Sequence, residues 1–278
     1  MEDGVDPKAF YIIGDERVLS SRSPAIFSAV MRRVGFRGTY EPWSVKPDEL
    51  RGVVQYLRRP GVAGANVTVP YKQAVIQHIQ SLSEGANIIG AVNTIVHGNG
   101  ALKGYNTNAI GFMDALRDAG FDAKGKSALV VGTGGAARAV VFILNWLGAA
   151  EVFVAGRDEA KARKTVESLG GTPKFLSSIL EEGLAANIVV NATSVSSPEE
   201  APDLALQVGR LKLSECELVM DLNYGRRENL WEKMARAHGI PFTDGLASLA
   251  NQARRTFRLW TGIDIEPAEF VKALESVS

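Results

Sequence analysis

One cysteine, Cys216, and three histidines are all that 278 residues offer a transition metal by way of thiolate or imidazole. A lone thiol closes no intrachain disulfide and builds no thiolate cluster for zinc or iron and sulfur. His78, His97 and His238 are scattered, and no His-Glu-x-x-His or paired acidic motif accompanies them, so a metal-free site is expected. An excess of one charge is also missing. Thirty-one Lys and Arg balance thirty-one Asp and Glu, hence no overall positive field draws the chain to nucleic acid or an anionic membrane. The apolar run Ala139 to Ala150 is bounded by Arg138 and Glu151 and holds Asn145, which leaves it short of the roughly 18 residues a membrane span needs. The start, Met1 to Lys8, is acidic and lacks the basic beginning and apolar centre of a secretory signal. The expectation is a cytoplasmic protein, monomeric or homodimeric, whose partner is a small molecule.

What the chain does contain is ordinary for a folded protein: 46% apolar and 22% charged residues, with length for about two domains. Short β-rich runs alternate with helical patterns, which predicts an α/β fold with mainly parallel sheets. Tyr11 to Gly14 reads as a first strand. Ser23-Pro24 reads as an N-cap followed by proline at the first helical position, with Ile26, Val30 and Val34 forming a buried stripe up to about Gly35. Strands are expected at Gly64 to Val69 and Ala91 to Val96, with a helix opening near Lys72 between them, whereas Gly98 to Gly104 reads as a loop. From Ser127 a succession of βα units follows, with strands at Ser127 to Gly132, Glu151 to Ala155, Ile188 to Asn191 and Leu218 to Asp221. After Asp244-Gly245 two helices are expected, the last opening at Pro267. We expect one domain at 1–108 plus 246–278, to which these helices return, and a second at 109–245.

Gly132-Thr133-Gly134-Gly135-Ala136-Ala137 matches the G-x-G-x-x-G/A phosphate-binding turn and stands between an apolar strand and a helix. Gly132 permits the tight turn, Gly134 lets the backbone approach a pyrophosphate, and small Ala137 allows close packing, while the helix start offers free N–H groups to the anion. Arg138 is an optional further cation. At the end of the following strand an acid accepts from a ribose 2′-hydroxyl and an Arg accommodates a 2′-phosphate. This chain has both, Arg157 and Asp158. Asp158 is explained by an N-cap role, and Arg157 suits a phosphate, which favours NADP over NAD.

Asn66-Val-Thr68-Val-Pro-Tyr-Lys72 ends a strand with Asn66 and Thr68 on one face. Lys72 follows at the mouth of the next helix. An ammonium there serves as general acid or base toward a hydroxyl or ketone if burial lowers its pKa.

These segments, with Ser21-Arg-Ser23-Pro24, Gly90-Ala-Val-Asn93-Thr94, Asn106-Thr107, Asn191-Ala-Thr193-Ser194, and Asp244-Gly245 followed by Gln252-Ala253, resemble shikimate dehydrogenase in that order over almost the whole chain. The resemblance implies an N-terminal α/β substrate domain and a C-terminal Rossmann-like dinucleotide-binding domain, reducing 3-dehydroshikimate to shikimate with NADPH in aromatic amino acid biosynthesis. Carried over, Ser21 and Ser23 hold the substrate carboxylate, and Asn66, Thr68, Asn93 and Gln252 its ring hydroxyls. Lys72 is then the catalytic lysine, Tyr224 lines the substrate cleft, and Thr193 and Gly245 join the glycine turn on the cofactor side. Uncharged hydroxyls and amides suit a small polyhydroxylated acid.

Departures from the family pattern cluster around the same site. Its Asn-Thr-Asp is Asn106-Thr107-Asn108 here, so the carboxylate that would partner Lys72 is an amide, which cannot carry negative charge. Lys72 should then titrate lower, and activity should be reduced. Ser20 stands for a usual His, Ser196-Ser197 for Gly-Met, Ser248 for Met, and Gly156 for the Asn of an Asn-Arg-Thr cofactor signature. Two alternatives follow from these changes: a dehydrogenase of quinate or another cyclic hydroxy acid using NAD, and a catalytically silent shikimate-binding relative.

Overall fold

The computed structural model describes residues 7–156, 158–212 and 215–276. The chain divides into two compact units, one reaching Thr107 and resuming at Ala250, the other running from Asn108 to Leu249. Each is built on a six-stranded sheet.

In the first unit the sheet runs β2 (Gly38–Ser44), β1 (Lys8–Gly14), β3 (Val62–Val67), β5 (Thr94–Gly98), β6 (Ala101–Tyr105) and β4 (Ser81–Leu82). The expectation of parallel sheets fails here in part: β1 lies parallel to β2 and β3, but β5 is antiparallel to both β3 and β6. The reason is a hairpin at the segment expected to be a loop. Gly98 pairs with Ala101, leaving a two-residue turn of Asn99 and Gly100, both at positive φ. Asn-Gly is the pair such a turn favours, because its twist matches that of the flanking strands.

Alternation along β1 sends Ala9, Tyr11 and Ile13 to one face, against α2 (Leu50–Tyr56) and the buried Val54 and Leu57. Phe10 points to the other face. There its ring stacks on Trp260 at 4.7 Å between centroids, beside the stacked pair Phe27 and Tyr40 at 4.8 Å. These rings join α1 (Ser23–Arg33), which carries Phe27, to α10 (Leu246–Thr261), which carries Phe257 and Trp260, and α11 (Pro267–Glu275) packs along α1. Helix α11 opens at Pro267, as its sequence predicts. Ser23, however, is not the cap of α1: it sits inside the first turn with Pro24 behind it, and the Ser21 hydroxyl accepts from the Ser23 N–H. Near Lys72 the chain forms only a short 3-10 turn, Ala74–His78, instead of the expected helix. This part of the chain also carries a 3-10 turn at Glu16–Ser20, α3 (Glu84–Ile89) and α4 (Thr107–Asp118).

In the second unit all pairings are parallel, in the order β12 (Phe242–Thr243), β11 (Leu218–Asp221), β10 (Ile188–Asn191), β7 (Ser127–Val131), β8 (Glu151–Ala155) and β9 (Thr172–Lys174). Helices α5 (Gly135–Trp146), α6 (Glu159–Leu169), α7 (Leu176–Glu182), α8 (Pro202–Val208) and α9 (Leu230–Ala237) intervene. Strands β7 and β10 are apolar and buried through nearly their whole length, as central parallel strands covered on both faces must be. The order reverses between β7 and β10, and a crevice at such a switch point is where open α/β sheets take their ligands. No helix among the described residues is long and apolar enough to cross a membrane.

Gly64 on β3 shows how tightly α10 meets the first sheet. A Cβ there would overlap both the Ile95 carbonyl oxygen and the indole Nε1 of Trp260, the donor in a 2.9 Å bond to that same carbonyl. Gly64→Ala is therefore expected to destabilise the protein by about 1–3 kcal/mol. Denaturant unfolding followed by tryptophan fluorescence measures it, and an unchanged midpoint contradicts this packing.

Candidate active site

The polar residues singled out in the first unit gather at one end of its sheet because of strand direction. β1 and β3 are parallel, so Ser21, Thr68 and Lys72 all follow from adjacent carboxyl ends; the Thr68 N–H donates to the Ile13 carbonyl at 2.8 Å. The antiparallel β5 begins where β3 ends, which sets Asn93 and Thr94 beside Asn66, and β6 ends there, which leads into Asn106 and Thr107.

A continuous hydrogen-bonded network links them. The Tyr40 hydroxyl donates to Asn66 Oδ1 at 2.8 Å, and Asn66 Nδ2 donates to the Asn93 carbonyl and to Thr94 Oγ1. Asn93 Nδ2 donates to Thr107 Oγ1 at 2.9 Å and to Gln252 Oε1 at 3.1 Å, while its Oδ1 accepts from the Thr107 N–H at 2.7 Å. Thr94, Thr107 and Thr256 hydroxyls lie 3.0–3.1 Å apart. Sequence reading found Asn66, Asn93 and Gln252 but missed Tyr40, Thr94 and Thr256. Thr256 lies on α10, far along the chain, and only folding brings it close.

Lys72 is half-buried, and its backbone is held by the Val92 N–H, which donates to the Lys72 carbonyl at 2.7 Å. Desolvation lowers its ammonium pKa to about 8. Among the described residues no salt bridge raises it again. The physical cause is burial, which is distinct from the missing carboxylate at position 108 from which a fall was expected. Asn108 itself is half-buried in the first turn of α4.

In the second unit the residues expected to hold a dinucleotide also follow the carboxyl ends of strands. Gly132, at the end of β7, has φ 131°, and a Cβ would lie 2.8 Å from the Ala192 carbonyl oxygen. Only glycine lets the chains leaving β7 and β10 approach so closely. Gly134 is the opposite case: it caps α5 without a side chain and a Cβ there would meet nothing within 4 Å. Together with Thr133, Gly135 and Ala136 it forms a turn whose outer face is open backbone at the start of a 12-residue helix with no acidic residue in its first turn. These residues fit a pyrophosphate. Arg138 is half-buried, and burial lowers its pKa.

Asp158 is the N-cap of α6. Its Oδ1 accepts from the Lys161 N–H at 3.1 Å and its Oδ2 lies 3.3 Å from Lys161 Nζ, contacts that hold the carboxyl below the usual range. Capping therefore gives Asp158 a local role that needs no ribose hydroxyl. Arg157 lies outside the described residues. Gly245 sits where a Cβ would overlap the Leu222 carbonyl, its N–H donating to Asn223 at 2.9 Å. Thr193 Oγ1 donates to Asn191 Oδ1 at 2.7 Å, and Tyr224 is half-buried in the turn after β11. Glu200 receives the Ser196 and Ser197 N–H groups and an ion pair from Arg226 at 2.9 Å, tying the turns after β10 and β11 together. Among the described residues no cluster of His, Cys, Asp or Glu could hold a metal ion.

A parallel βα unit with a glycine phosphate turn, carried on one chain with a mixed α/β unit bearing a lysine and a polar amide network, defines a nicotinamide-dinucleotide-dependent oxidoreductase. Family models agree on which one: the shikimate dehydrogenase substrate binding domain matches residues 12–95 and shikimate / quinate 5-dehydrogenase residues 115–224. The chain belongs to the shikimate dehydrogenase family. It is 36% identical over 260 residues to a shikimate dehydrogenase (NADP(+)) of Caldanaerobacter subterraneus, covering 92% of both chains. To that of Thermus thermophilus it is 37% identical, over 95% of this chain and 96% of the other. The structure is similar to shikimate dehydrogenase from Aquifex aeolicus, with TM-score 0.86, 31% identity and coverage of 96% and 97%. It is also similar to the Thermus thermophilus enzyme in complex with NADP(H) and shikimate, with TM-score 0.84, 35% identity and coverage of 98% and 100%.

The open face of Gly134 yields a sharp expectation. Gly134→Ala touches no protein atom, so stability should change by no more than about 1 kcal/mol, an N-cap effect. Dinucleotide binding should weaken by roughly ten-fold or more, because the methyl stands where the backbone meets the phosphate. Fluorescence titration with NADP+ measures this, and undiminished affinity would mean the turn binds no phosphate.

Proposed function

We propose that this protein interconverts 3-dehydroshikimate and shikimate with NADP(H), and that Lys72 is its proton-transferring group. The observation that carries the reading is the family membership together with a desolvated lysine at the polar end of the first sheet, titrating at about 8. The dinucleotide, when bound, supplies or accepts the hydride. The glycine turn at 132–136 holds its pyrophosphate and Thr193 and Gly245 flank it. The NADP(+) named for the relatives supports NADP here, and the cap role of Asp158 explains that acid without a ribose contact.

On the substrate side, Ser21 and Ser23 bind the carboxylate. The Ser21 hydroxyl, which accepts from the Ser23 N–H, keeps its own proton to donate. Asn66, Thr68, Asn93 and Gln252 orient the ring hydroxyls, and Tyr224 is a further substrate-binding residue. Both Nδ2 donors of Asn66 are spent inward and its Oδ1 accepts from Tyr40, so it meets the substrate only through the second lone pair of Oδ1, and the network behind it fixes its orientation. The substrate domain is 1–108 with 246–278 and the NADP-binding domain 109–245. The protein works in the cytoplasm as a monomer or homodimer.

With Lys72 titrating at about 8, the ammonium that protonates the carbonyl oxygen dominates below that pH and the amine that accepts the hydroxyl proton dominates above it. Reduction of 3-dehydroshikimate should therefore slow as pH rises through about 8, and oxidation of shikimate should quicken over the same range. Lys72→Met should lower kcat by about 10²–10⁴-fold and abolish both inflections. An unaltered pH profile in that variant would remove Lys72 from proton transfer.

Asn108→Asp restores the acid of the family pattern. The added negative charge favours the ammonium and moves the inflection to higher pH, and turnover should rise by about 10²-fold. Initial rates of NADP+ reduction by shikimate measure both. Retained shikimate binding with no turnover in either protein would point instead to a silent shikimate-binding relative.

A further inference from the structure

Asp221 is a fully buried acid at the last position of β11. Its Oδ1 accepts from Asn191 Nδ2 at 2.8 Å and from the Asn223 N–H and Nδ2 at 3.0 Å, and its Oδ2 accepts from Asn229 Nδ2 at 2.7 Å. All four contacts come from donors, so both oxygens act as acceptors, and none of the donors carries charge. Burying an ion with neutral partners alone is a costly way to join two loops, since an amide could make several of the same contacts. Asn223 and Asn229 are themselves committed: Asn223 Nδ2 also donates to the Thr193 carbonyl, and Asn229 Oδ1 caps α9 by accepting from the Trp231 and Glu232 N–H groups. Arg226, in the turn after Asp221, is itself paired with Glu200 at 2.9 Å.

The topology decides what that charge faces. A dinucleotide lying across the switch point has its pyrophosphate at the β7–α5 turn and its adenosine toward β8, on the side of Asp158. Its nicotinamide end would then reach beyond β10 and β11, toward the turns that Asp221 ties together. An oxidised nicotinamide ring carries a formal positive charge and a reduced one does not. We propose that Asp221 is a positioning and electrostatic residue whose buried carboxylate makes the site bind the oxidised dinucleotide more tightly, relative to the reduced one, than its shape alone would. This rests on the dinucleotide reading of the second unit given above.

The test compares affinities for NADP+ and NADPH by fluorescence titration in the wild type and in Asp221→Asn. The variant is expected to lose about ten-fold in NADP+ affinity and about two-fold or less in NADPH affinity, because only one ring interacts with the missing charge. A residue that merely braced the two turns would weaken both equally, and equal loss or no loss overturns the proposal. Because the new amide Nδ2 would oppose that of Asn229, the double variant Asp221→Asn with Asn229→Asp is measured alongside. It restores every donor–acceptor pair, and with it the melting temperature, while moving the charge one side chain farther from the strand ends. Its NADP+ to NADPH affinity ratio should also fall, though less, and a ratio unchanged in whichever variant folds counts against the idea. Failure of the wild type to bind either nucleotide would instead defeat the dinucleotide reading itself.

Discussion

At the carboxyl end of β10 the Asn191 amide donates to the buried carboxylate of Asp221, and at the end of β3 the Asn66 amide donates to the Asn93 carbonyl and the Thr94 hydroxyl. Both contacts answer one constraint: a polar group withdrawn from water must find a partner in the protein. Amides and hydroxyls meet that demand without introducing charge, and in the first unit they do so through a chain from Tyr40 to Thr256. What remains of their hydrogen-bonding capacity is held in fixed orientation, which is what recognition of a small polyhydroxylated molecule requires.

Charge is used sparingly in each unit. Lys72 in the first is desolvated and titrates at about 8, low enough to hold or release a proton near neutral pH. Asp221 in the second is ringed by neutral donors. Each is fixed through backbone contacts at the end of a strand or just beyond one, so rigid sheets hold the segments that present them.

Much of this was legible in the residues. The strands at Glu151 to Ala155, Ile188 to Asn191 and Leu218 to Asp221 stand where the apolar runs lie, because central parallel strands covered on both faces are apolar without interruption. Asp158 caps its helix, a role local sequence specifies. Less was legible in the first unit. Its β2 carries mixed exposure at a sheet edge, its hairpin signal Asn99-Gly100 stands among other glycines, and α1 begins at Ser23 with Arg22 at the cap position, the Ser21 hydroxyl accepting from the Ser23 N–H.

The sequence alone determined the α/β class, the glycine turn between β7 and α5, and the family, since each rests on local pattern or on motifs read in order. Only the tertiary structure decided that Tyr40, Thr94 and Thr256 belong with Asn66 and Asn93, that burial is what lowers Lys72, and that Asp221 is enclosed by neutral donors. Those are facts of proximity and desolvation between segments distant along the chain, and no local pattern encodes them.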